Sequence, residues 1–148
     1  MVGNSSDEVL GQGKNVEAVT KIYKVRGIRG AISVPENTAK AIYAATQELL
    51  LRIFEENQLD TDDIGSIFFS TTRDLNAGFP AFAARQTLGL TDIALMCGHE
   101  MEVPGALPRV LRVLLHVNTT KSGAELRHIY LGDAVALRPD KASQIEKS

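Results

Sequence analysis

From Ile22 to Ala31 apolar and polar residues alternate (Ile22-Tyr23-Lys24-Val25-Arg26-Gly27-Ile28-Arg29-Gly30-Ala31). From Thr38 the period changes, and Ile42, Ala45, Leu49, Ile53 and Phe54 recur three or four apart as far as Asn57. A period of two sends successive side chains to opposite faces of a strand, whereas a period near 3.6 gathers them on one face of a helix. The chain is thereby committed to a half-buried strand followed by a covering helix, with Glu36-Asn37-Thr38 as the N-cap region. That pairing points to an α+β or α/β domain.

The remaining pattern fills in around this unit. Asp60-Thr61-Asp62-Asp63 reads as a turn or short cap, and Ser66 to Thr72, rich in aromatic and β-branched residues, as a second strand. Phe79-Pro80 starts a shorter helix that runs through Leu88 and stops at Gly89, because a proline in the first turn loses no helical hydrogen bond. Asp92 to Cys97 reads as a third strand buried on both faces. Val103 to Pro108, with two prolines and a glycine, permits one helical turn and little more. Arg109 to Val117 is ambiguous by period, but its β-branched content favours a strand, and Leu126 to Leu131 forms the last one. The order βαβαβββ gives a mixed sheet covered mainly by the long helix.

Composition narrows the function classes. A chain of 148 residues makes one domain, expected over residues 22–140, between a disordered leader over 1–21 and a flexible tail over 141–148. The net charge of −2 argues against a broadly basic nucleic-acid-binding face. Residues 1–20 alone carry that charge, through Asp7, Glu8 and Glu17 against Lys14. A single cysteine excludes an internal disulfide and any multi-cysteine metal centre within one chain. No apolar run is long enough to span a membrane, and the first twenty residues lack a basic-then-apolar targeting pattern, so a cytoplasmic protein is expected.

Two groups of residues could carry chemistry. Nine of the 16 basic residues are arginine, whose planar fork suits carboxylates and phosphates. Arg29 stands at a strand end beside glycines. Arg112 lies inside an apolar strand, where a charge is costly unless it is paired, faces a cavity, or snorkels from an edge into water. The second group is Cys97-Gly98-His99-Glu100. As a metal site its spacing is poor, since adjacent and alternate positions diverge on a strand, and no partner base marks a Cys–His nucleophile. What stays open is a thiol and a carboxylate acting as hydrogen-bond partners in a pocket, or an inert buried cysteine beside a solvated glutamate. His116 reads as a strand-face residue and His128 carries little signal. Tyr130 is either a ligand-binding hydroxyl or a packed ring. No glycine-rich phosphate or dinucleotide fingerprint is present.

Taken together, these segments resemble the AroH-class chorismate mutases. The resemblance spans Val25 to about Asp140 and rests on several motifs in order: Arg26-Gly27-Ile28-Arg29-Gly30-Ala31, then Asp74-Leu75-Asn76-Ala77-Gly78-Phe79-Pro80-Ala81 with Arg85, then Cys97-Gly98-His99-Glu100-Met101. It continues through Val103-Pro104-Gly105-Ala106-Leu107, Arg112-Val113, Arg127-His128-Ile129-Tyr130-Leu131 and Ala134-Val135-Ala136-Leu137-Arg138-Pro139-Asp140.

The resemblance implies an α+β fold of the chorismate mutase-like pseudo α/β barrel type, a mixed sheet packed by one long and one shorter helix. It also implies a homotrimer with active sites between subunits, and the rearrangement of chorismate to prephenate, on the route to phenylalanine and tyrosine, without cofactor or metal. By the same resemblance, Arg112 would donate to the ether oxygen, Arg29 would bind a substrate carboxylate with help from Tyr130, and Glu100 and Cys97 would hydrogen-bond the ring hydroxyl. Phe79, Arg85 and Leu137 would line or close the pocket, and the segment around Arg138 would cover it. Phe82 stands where a relative can carry a lysine at the entrance. Two other readings share this architecture: a deaminase of enamines or imines, and a non-catalytic trimer that binds metabolites of the aromatic pathway.

Overall fold

The computed structural model describes residues 21–138, so the expected tail and all of the expected leader except Lys21 lie outside the described residues. The chain runs β1 (Lys24–Ser33), α1 (Ala39–Asn57), β2 (Ile64–Thr71), α2 (Pro80–Gln86), β3 (Ala94–His99), β4 (Val110–Thr119) and β5 (Ile129–Leu131). Short 3-10 turns at Thr61–Asp63, Gly123–Glu125 and Gly132–Leu137 join or follow these elements. The strands form one mixed sheet in the order β3-β2-β4-β1-β5. β4 pairs antiparallel with both β1 and β2, while β1–β5 and β2–β3 are parallel.

One face of the sheet is closed by α1. Thr38 Oγ1 accepts from the Ala41 N–H at 3.1 Å, which starts the helix, and a left-handed Gln58 ends it. Ile42, Leu49, Leu50 and Ile53 turn inward against Ile28, Ile67, Leu111 and Leu115. The approach is close at Gly30, where an added Cβ would stand 2.9 Å from Ile53 Cδ1 and 3.1 Å from both Leu49 Cδ1 and Val113 Cγ1. A side chain there would have to displace the tips of Ile53, Leu49 and Val113 within the packed layer, so the close approach favours glycine. Asn57 clamps the far end of α1. Its side chain donates to the carbonyls of Ile53 and Arg127 and accepts from the Arg127 N–H at 2.8 Å.

The opposite face of the sheet is open over much of its area. Phe68, Met96 and Leu114, 40%, 61% and 38% exposed, occupy outward positions on β2, β3 and β4. Near β5 a second, smaller apolar cluster of Ala31, Val110, Tyr130 and Ala134 covers part of that face.

Two expectations need correction. The strand expected at Asp92–Cys97 is Ala94–His99, and it is not buried on both faces: it is the sheet edge, with outward residues exposed. The strand expected from Leu126 is only Ile129–Leu131. Residues 126–128 follow a 3-10 turn closed by a Ser122–Glu125 capping box, and Asn57 satisfies the Arg127 backbone groups that a ladder would otherwise have used.

Candidate active site

Strand alternation decides which side chains meet. In register, Ser70 on β2 stands opposite Arg112 on β4, Arg112 opposite Ala31 on β1, and Ala31 beside Tyr130 on β5. All four therefore share the open face. With Arg29 and Glu100 they border an open pocket of about 340 Å³. Arg112 occupies the central strand rather than an edge, and its charge is tolerated because that face opens to the pocket.

Glu100 follows β3 directly. Its backbone N–H donates to the Thr71 carbonyl at 2.8 Å, extending the ladder by one residue and fixing the start of the side chain. The carboxylate oxygen Oε2 accepts from Ser70 Oγ at 2.7 Å and lies 3.3 Å from Arg112 Nε. Arg112 and Glu100 thus form an ion pair on the pocket side of the sheet. Arg29 is held from behind: its backbone N–H donates to His128 Nδ1 at 2.9 Å. That bond requires an unprotonated Nδ1. Tyr130 is buried in the small apolar cluster, with Leu137 packed against the same cluster.

Cys97 is placed differently from Glu100. It pairs in register with Phe69, a core residue, so the thiol points to the helix side of β3. Burial pushes the thiol's pKa up, against smaller opposing effects from the Ala81 backbone and the Arg85 charge, so it stays a neutral thiol. Cys97 borders both the pocket with Arg112 and a neighbouring cavity on the helix side of β3. Phe79 and Arg85 do not enter that pocket within one chain. They line the neighbouring cavity of about 520 Å³ that meets the first at Cys97 and Gly98. Phe82 borders the same cavity and stacks on Tyr43 with ring centroids 5.0 Å apart. Arg138 closes the last 3-10 turn, one residue beyond Leu137.

His116 is a strand-face residue as expected, hydrogen-bonded to Ser66 and edge-on to Phe68. Ser70 and His128 are the contributors that sequence reading passes over. A serine in a β-rich run carries no signal until the register sets it beside a carboxylate and an arginine.

The chain matches the family model described as chorismate mutase type I over residues 25–141. It belongs to that family. Among type I chorismate mutases, it is 48% identical over 120 residues to Chorismate mutase AroH of Thermus thermophilus, covering 80% of this chain and 98% of the relative. It is 40% identical over 116 residues to Chorismate mutase AroH of Bacillus subtilis strain 168, covering 78% and 91%. A solved chorismate mutase from Clostridium thermocellum superposes with a TM-score of 0.73 at 50% identity, covering 75% of this chain and 98% of that one. The shared span takes in every element that builds the pocket.

Proposed function

We propose that this chain is a cytoplasmic chorismate mutase that converts chorismate to prephenate by a concerted intramolecular rearrangement, working as a homotrimer. The observation that carries the reading is the convergence of Arg29, Glu100, Arg112 and Tyr130, from four separate segments, on one pocket of the open sheet face.

The reaction breaks a C–O bond while a C–C bond forms, with no nucleophile and no proton transfer. An enzyme can therefore assist by holding the compact conformer and by placing fixed charge where the transition state becomes polar. Arg112 donates from its outer nitrogens to the ether oxygen as that oxygen gains negative charge. Arg29 pairs with a substrate carboxylate, with the Tyr130 hydroxyl beside it. Glu100 accepts from the ring hydroxyl through Oε1, the oxygen engaged by neither Ser70 nor Arg112, and lies where it can stabilise positive charge developing on the ring. Cys97, which borders both cavities, adds a contact to the hydroxyl.

A trimer accounts for two further features. It covers Phe68, Met96 and Leu114, whose exposure is unusual for a monomer's sheet face. It also lets the cavity lined by Phe79 and Arg85 in one subunit complete the Arg112 pocket of the next, with Leu137 and Arg138 near the cover. This assembly closes the sheet faces toward one another as a pseudo-barrel.

Purified protein mixed with chorismate should yield prephenate. Arg112→Ala should lower kcat by about 10²–10³-fold, the loss typical of one oxyanion donor. Arg112→Lys should recover little of it, because an ammonium does not reproduce the fork. Undiminished turnover in Arg112→Ala would remove the electrostatic mechanism.

A further inference from the structure

Ser70 stands at the centre of the polar cluster, yet the mechanism above gives it no task. Its hydroxyl lies between β3 and β4, opposite Gly98 on one side and Arg112 on the other. It donates to the same Oε2 of Glu100 that contacts Arg112 Nε. Both charged groups are partly exposed, so neither is locked in place by packing.

A carboxylate beside a guanidinium has a stronger arrangement available, the side-on pair with two parallel N–H···O bonds. In that arrangement Glu100 would take an outer nitrogen of Arg112 as well as Nε. The 2.7 Å bond from Ser70 opposes this turn by tethering Oε2 over β2. We propose that Ser70 is a positioning residue: it holds Glu100 in a one-point contact with Arg112, so that the outer guanidinium nitrogens remain free for substrate and Oε1 for the ring hydroxyl. The inference rests on the roles proposed above for Glu100 and Arg112.

Loss of the tether falls on kcat more than on KM, because the oxygen that Arg112 meets becomes charged only in the transition state. Steady-state kinetics on Ser70→Ala, Glu100→Ala and the double variant, with thermal midpoints for each, test this. Ser70→Ala should lower kcat at least tenfold with KM and the thermal midpoint little changed, and Ser70→Thr, which keeps the hydroxyl, should recover most of the loss. In the Glu100→Ala background the Ser70→Ala change should have no further effect, since no carboxylate is left to misplace.

Unchanged kcat in Ser70→Ala, or losses that multiply in the double variant, would overturn the positioning role while leaving Glu100 and Arg112 in theirs. A Glu100→Ala variant with full activity would instead overturn the reading on which the inference rests.

Discussion

A charged residue in the middle of an apolar strand can be a packing accident or a tool, and Arg112 shows what separates the two. The sequence places it among valines and leucines, but only the register shows that it faces Ser70 and Ala31 across the open side of the sheet. Its partner Glu100 arrives from an edge strand, after a chain excursion that no local pattern encodes. Cys97 is the reverse case. The resemblance brings it in as a contact to the ring hydroxyl, yet alternation turns its thiol away from the Arg112 of its own chain, toward Phe69, α2 and the cavity lined by Phe79 and Arg85. A neutral thiol is a weak donor, so Cys97→Ala should lower kcat far less than Arg112→Ala and cost about 1 kcal/mol of stability from lost packing. Kinetics and urea midpoints on the same variant separate the two, and a loss of kcat as large as that of Arg112→Ala would contradict the weak-donor role.

At the scale of elements, β1 and α1 were legible because each carries its own period, alternation or the three- and four-residue repeat, and α2 because Pro80 marks its start, although it ends at Gln86 rather than at the expected Leu88. The β3 strand was misread because a residue that is apolar for the monomer's core looks the same as one kept apolar for a surface. Met96 is of the second kind. The entry to β4 was equally hidden. Arg109 takes φ +47°, which a non-glycine residue adopts only when held, and both oxygens of Asp74 accept from its N–H at 3.2 and 3.0 Å. The hydrogen bond from Thr72, reinforced by this backbone bond and by the Arg109 charge, holds the Asp74 carboxyl below its ordinary pKa. A depressed folded-state pKa contributes stability above the unfolded value of 3.8, which is lost as pH falls through the folded one. Asp74→Asn should accordingly lower the urea midpoint at pH 7, and the gap from the parent chain should narrow as pH drops below 4. A gap that stays constant with pH would assign the effect to shape rather than charge.

For the whole molecule, the proposed trimer would cover the exposed stripe of Phe68, Met96 and Leu114 and bring together expected site residues that one chain divides between two cavities. Mass measurement in solution should give three chains, and mixing Arg112→Ala with Arg85→Ala protein should regenerate activity if each site draws on two subunits. A stable, fully active monomer would contradict this. Strand β1 ties that working surface to the interior: Arg29 and Ala31 face the pocket while Gly30, between them, presses against Leu49 and Ile53. A lineage carrying this fold cannot drift freely in its core. Under the role proposed for Arg29, enlarging either helix residue would push β1 outward and displace that arginine, so substitutions in the oily layer would be inherited as changes in substrate affinity. Selection on catalysis would then police positions that no substrate ever touches.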